Sequence, residues 1–379
     1  MKKEVYNYGI GMLKIIAMLF IIILHINARG GIITNSNNHP ISYILEIIAL
    51  CSVNVYAIIT GYLEYRDNEN NTYQYNFKKI FNLYFIILFY GLIIYLISYI
   101  LGVYEFNKND IFNLLFPISS KYLWYFTAYA GTFIFFPIIN KFVKNSDKKH
   151  LIYYSIVIII IFSLWPSLFS NRFGDFWNLK SGYSVWWLLI LYFLGAVVKK
   201  INLKIDLKKL FVMLLILYFT SWVWTCYSAH ITNWIFGQNK FEGIFNSYIS
   251  ITSILIAIIY VLIFSNLKFP KKINKATKFL APATFGVYVM HLHPIVWQYW
   301  KDRFLFILNY NILLEPILVL IIAVLLLILM LLIDKVRECI FKLCKINNIS
   351  SKLNNITNKI IISICKIIEK RGVVNERKE

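Results

Sequence analysis

The chain has 379 residues, 59% of them hydrophobic and 15% charged, with a formal net charge of +21 and a mean hydropathy of +0.64. Soluble domains carry about a quarter charged residues, so this composition excludes an ordinary water-soluble domain and points to lipid as the solvent. The basic residues sit in short clusters between long apolar runs, as membrane-protein loops do, so no nucleic-acid partner is expected.

A membrane-crossing helix takes roughly 20 mostly apolar residues. Ten segments qualify in chain order: 9–26, 41–63, 80–103, 122–139, 151–169, 181–198, 210–227, 245–264, 279–300 and 312–333. Lys2 and Lys3 ahead of the first run imitate a signal peptide, but no small-x-small cleavage site follows, so the run reads as a retained helix. The loops after segments 2, 4, 6 and 8 hold 17 Lys/Arg against eight in the other five. By the positive-inside rule both termini face the cytoplasm. The fold class expected is therefore all-α: a polytopic membrane bundle of about ten transmembrane helices, N-in/C-in, over residues 1–333. No internal repeat is visible, and no loop is long enough for a second globular domain.

Residues 334–379 read as a separate cytoplasmic tail. Lys345, Lys352, Lys359 and Lys366 recur every seven residues, and the isoleucines follow a three-four spacing. This is a basic amphipathic helix, suited to the anionic inner leaflet or to a short coiled coil. The five cysteines form no CxxC pair or other ligand spacing, so no metal and no structural disulfide is expected.

Ionisable side chains inside a bilayer are costly and mark function by default. The first segment holds two, Lys14 and His25. Eleven residues at 100° each overshoot three turns by about 20°, and the rise between them is about 16 Å, so both lie on one helix face. A cation and a general base on one stripe suit the two ends of a long anionic donor. Each also has a bland explanation: Lys14 can snorkel to the interface, and His25 can bond a backbone carbonyl. Glu46 in the second segment enters at a depth like that of His25, where a carboxylate would fix the imidazole tautomer; pairing with Arg29 is the alternative. Asn54 lies near the middle of the same segment. In the ninth, Pro294 breaks the helix just after His291 and His293, which fits either a cavity lining or a structural kink. Lys78 and Lys79 open the third segment, and Trp124 belongs to an aromatic cluster that fits an interfacial belt or a sugar platform. No P-loop, GxSxG or HExxH motif is present.

These segments together resemble the membrane acyltransferase-3 family, in particular its polysaccharide O-acetyltransferases. Leu13–Ala17 through His25 is similar to the family's Arg-x10-His helix, and Asn54–Leu63 to its SGY/F-L segment. Leu123–Phe126 with Pro137–Asn140 is similar to its WF…P-x-x-N helix, and Phe285–His291 to its FG-x-Y-L-x-H element. Lys14 departs from the family's usual Arg and loses the bidentate fork while keeping the charge. Lys78, Lys79 and Asn82 stand where an arginine-rich segment is common.

The resemblance implies an acetyltransferase of the cell membrane, of bacterial type. Acetyl-CoA would be the donor, and a surface polysaccharide or its lipid-linked precursor the acceptor. It would hold no permanent cofactor. His25 would be the catalytic base with Glu46 behind it, Lys14, Lys78 and Lys79 would bind the donor, and Asn54, Trp124 and His291 would meet the substrate. A polysaccharide flippase or polymerase is the alternative function. A different membrane acyltransferase fold with His291 as its catalytic histidine is the alternative mechanism.

Overall fold

The computed structural model describes residues 6–37, 39–66, 75–105, 108–119, 123–238 and 244–376. Lys2, Lys3, Lys121, Tyr122 and Lys240 lie outside these. All regular elements among the described residues are helical.

Helix α1 (Tyr8–Ala28) starts where the Asn7 side chain accepts the Ile10 N–H at 3.0 Å, satisfying one of the amides left free at a helix start. It ends at Gly30-Gly31, with Gly31 in the left-handed region at φ 92°. The short α2 (Ile32–Asn35) leads to α3 (Tyr43–Ala49) and α4 (Ser52–Glu64), which together form the second apolar segment. Then come α5 (Phe77–Ile100), α6 (Lys108–Leu115), and the pair α7 (Trp124–Phe133) and α8 (Phe136–Asn145), bent by 55° at Ile134-Phe135. A turn of π-helix joins α9 (Lys148–Ile159) to α10 (Trp165–Phe173) just ahead of Pro166, which has no N–H for the regular ladder.

Helix α11 (Val185–Ile201) is followed by α12 (Leu207–Phe236) and α13 (Ile251–Asn266), then α14 (Lys271–Leu280) and α15 (Thr284–His291). Pro294 opens α16 (Pro294–Trp300) at an angle of 77° to what precedes it, which is the break expected from the sequence. The chain closes with α17 (Glu315–Leu343) and α18 (Ile346–Glu376).

Among the described residues, six helical stretches are long and apolar enough to cross a membrane, or up to eight if each bent pair counts as one span. The expectation of ten also counts α11 and α13, apolar helices of 17 and 16 residues. Both are short for a full crossing. Both are well enclosed: α11 is buried along most of its length, between α4, α7, α8 and α9.

The most extensive helix–helix contact is α4 on α11, and two glycines permit its close approach. A Cβ on Gly61 would stand 1.9 Å from the Tyr192 carbonyl oxygen, and one on Gly195 would stand 2.1 Å from that of Ile58. Without hydrophobic drive between helices in lipid, such backbone-to-backbone approach is a main source of packing energy. Beside it, the rings of Phe136 and Tyr192 stack at 3.9 Å.

The boundary expected at 333/334 falls inside a continuous helix, because α17 runs on to Leu343. Asp334 is buried within the bundle. It accepts from Tyr90 Oη at 2.8 Å and from Arg337 through Nε at 3.0 Å and Nη2 at 2.5 Å, and it sits on Gly286, where any side chain would collide with it. The basic amphipathic α18 packs along α5, and Asn358 Nδ2 donates to the Tyr75 carbonyl at 3.1 Å. The lysine-and-isoleucine pattern thus yields a helix, with part of its apolar stripe on α5 and exposed isoleucines such as Ile360, Ile364 and Ile367 elsewhere.

Candidate active site

Helix α1 lies at the centre of the bundle, packed on α3, α4, α13, α14, α15 and α17. It therefore carries its two ionisable residues inside protein and not on a lipid-facing stripe. Its length separates a Lys14 end from a His25 end by the roughly 16 Å of helical rise.

At the His25 end, α15 brings a second histidine against the first. His291 is 0% exposed. Its Nδ1 lies 2.6 Å from the Val287 carbonyl, which can only accept, so Nδ1 carries the proton. Its Nε2, left with a lone pair, lies 3.0 Å from His25 Nδ1, which therefore donates. The two bonds fix both tautomers in series and leave His25 Nε2 as the basic atom, with no hydrogen bond to it among the described residues. Trp297 packs edge-on against His25 with ring centres 4.8 Å apart, and Trp300 lies 5.9 Å from His291. The bend at Pro294 is what turns these two indoles of α16 back over the imidazoles. Arg29 holds the Trp297 backbone through Nε at 3.2 Å and lies over its ring.

Glu46 is near but not in direct contact with the imidazole. Its Oε2 accepts from Asn27 Nδ2 at 3.2 Å, two residues beyond His25. The His25 atom a tautomer-fixing carboxylate would need is held by His291 instead, and Arg29 bonds Trp297. Asn54 is committed at both ends of its amide: Nδ2 donates to the Tyr248 carbonyl at 2.7 Å, and Oδ1 accepts from Trp187 Nε1 at 3.0 Å. That ties the loop before α13 to α4 and α11. Trp124, half-buried, stacks near Tyr183 at 4.5 Å, and Tyr183 near Tyr248 at 5.3 Å. Ring contacts continue inward from Trp124 to Tyr125, Tyr288 and His291 at 5.6, 6.2 and 6.3 Å.

At the Lys14 end the chemistry is coarser. Lys14 lies within electrostatic reach of Glu64 and Lys79, and its carbonyl accepts from Tyr56 Oη at 2.7 Å. Lys79 forms an ion pair with Glu64, while Lys78 beside it is half-buried. Lys199 stands over the Tyr62 ring at 4.6 Å. A narrow crevice lined by Thr60, Tyr125, Tyr129 and Tyr192 opens one turn along α4 from Tyr56.

The structure thus joins His25 with His291, brings Lys14 and Lys79 around Glu64, and leaves Asn54 and Trp124 on the Tyr248 side. Sequence reasoning missed Glu64, Asn27 and Trp297. Glu64 was visible as the acidic residue ending an apolar run just ahead of the Lys78-Lys79 pair; Asn27 and Trp297 gave no signal apart from their neighbours.

A family model for an acyltransferase domain, Acyl_transf_3, matches residues 7–335. No curated protein matches the chain, and no solved structure does.

Proposed function

The chain belongs to the acyltransferase family of that domain, and from this premise we propose that it moves an acetyl group from acetyl-CoA to a hydroxyl of a cell-surface polysaccharide or its lipid-linked precursor. The observation that carries the reading is the His25–His291–Val287 series of hydrogen bonds. It makes His25 Nε2 a positioned base in a largely dehydrated site, which is what attack by a sugar hydroxyl requires.

The donor enters at the Lys14 end. Lys14, Lys78 and Lys79 face the CoA phosphates as point charges, and the pantetheine arm extends along α1 toward His25. His25 Nε2 takes the proton of the sugar hydroxyl as its oxygen bonds to the thioester carbonyl carbon. The C–S bond then breaks, and the CoA thiolate leaves with the proton returned by the imidazolium. His291 Nε2 stabilises that transient imidazolium by accepting from His25 Nδ1. Trp297 and Trp300 keep bulk water from the thioester. Glu46 supports His25 at one remove, by holding Asn27, and Trp124 offers a ring face to the acceptor. The loop-charge bias puts the Lys14 end at the cytoplasm and the His25 end outside, as in a bacterial plasma membrane.

The test is NMR of surface glycan from deletion cells complemented with wild type or His25→Ala. The O-acetyl signal is expected to return with wild type alone, with both proteins present in the membrane in equal amount. A full signal from His25→Ala ends this mechanism.

A further inference from the structure

A cavity of about 440 Å³ opens at the His25 end between the far end of α5 and the segment after α16. Its volume lies in the range of ligand sites, roughly 300–1,000 Å³. Tyr104, Gln298, Tyr299, Lys301, Asp302 and Arg303 line it. Along α16, Ile295, Gln298 and Tyr299 share the cavity face, while Trp297 points about 150° away from that face at 100° per residue. Trp297 is the residue that packs on His25. The helix is therefore a wall, with the base on one side and the cavity on the other.

The lining has the chemistry of carbohydrate recognition. A carboxylate accepts from sugar hydroxyls, an ammonium and a guanidinium donate to them, and the Gln298 amide does both. Tyr104 and Tyr299 offer ring faces to the C–H faces of a sugar. Two of these groups are held in place: Tyr104 Oη donates to Asp110 at 3.1 Å, and the Arg303 guanidinium lies 5.9 Å from the Tyr299 ring centre. The rim is anchored to the helix that bears the base. Asp302 N–H donates to the Arg29 carbonyl at 3.1 Å, with Asp302 itself in the left-handed region at φ 57°, and Phe304 N–H donates to the Gly30 carbonyl at 3.3 Å.

We propose that this cavity is an acceptor subsite for sugar residues flanking the one that is acylated, so that the enzyme acts faster on an oligomeric glycan than on a free monosaccharide. The inference rests on the acyl-transfer reading above. A helix with its side chains is about 10–12 Å across, farther than one sugar ring extends, so a single ring cannot fill the cavity and meet His25 together. A chain passing over α16 can. Binding energy from the flanking residues then holds the reacting hydroxyl in place.

The experiment uses full-length protein in phosphatidylcholine nanodiscs, acetyl-CoA as donor, and a ladder of oligosaccharides from one to six residues released from the host's surface glycan. For wild type, kcat/KM should rise with acceptor length by about tenfold or more and then level off. In Gln298→Ala/Arg303→Ala, KM for the longer acceptors should rise about tenfold, with the monosaccharide rate and acetyl-CoA hydrolysis unchanged. Equal effects on short and long acceptors, or none on either, would overturn the proposal. So would loss of the length dependence when phosphatidylglycerol is added, which would make the cavity a lipid-headgroup site. Wild type that acetylates no glycan of any length would sink the acyl-transfer reading itself, a result distinct from transfer that ignores length.

Discussion

The two ends of α1 are built on different principles. At the His25 end, each nitrogen of the His25–His291 pair but one is committed to a hydrogen bond of defined direction, down to the Val287 carbonyl. At the Lys14 end, flexible lysines surround a single carboxylate, Glu64, with an ion pair as the main fixed contact. The difference teaches how tightly each task constrains geometry. On the proposed reading, proton transfer needs donor and acceptor held to about 0.5 Å of the productive geometry, whereas a phosphate is held by nearby charge. On that reading a Lys serves in place of an Arg at the second kind of site, since it keeps the charge and loses only the bidentate fork.

That contrast can be broken at either end. The largest effect is expected for His25→Ala: a fall in kcat of about 10²–10⁴-fold, the usual worth of a general base, measured by acetyl transfer with purified protein. His291→Gln should lower kcat by about 10–100-fold, the scale seen when a partner that orients a histidine is removed elsewhere, with KM for acetyl-CoA unchanged. Equal kcat in His291→Gln and wild type would show that the series of bonds does not serve the base. At the other end, Lys14→Ala should raise KM for acetyl-CoA by about tenfold, in line with a lost charge-assisted hydrogen bond, while Lys14→Arg restores it. The smallest effect is expected for Glu64→Gln. Freeing Lys79 from its ion pair should tighten donor binding about two- to threefold, read by calorimetry with CoA, and weaker binding would mean that Glu64 organises the lysines instead of competing for them.

Much of this was legible in the sequence wherever the signal was local. Hydropathy placed the helices, Pro294 placed the break, and helical periodicity put Lys14 and His25 on one face. The contact that organises the site was not legible, because it joins residues 266 positions apart. Periodicity speaks of faces within a helix and is silent on which face of α15 meets which face of α1. For that reason His25 and His291 read as rival bases in the sequence, and as successive members of one hydrogen-bonded series in the structure. Asn54 taught the same lesson. A mid-helix amide is conspicuous in an apolar run, but that it braces Trp187 and the Tyr248 loop depends on α11 and on the loop before α13.

The crossing of α4 and α11 at Gly61 and Gly195 has a mechanical consequence. With two carbonyl oxygens lying where side-chain carbons would otherwise stand, these helices have no slack to slide or scissor past each other. They form a keel. On the acyl-transfer reading, any breathing that admits a bulky acceptor to the imidazole is expected at α16 instead, which follows the bend at Pro294 and carries the tryptophans over the imidazoles.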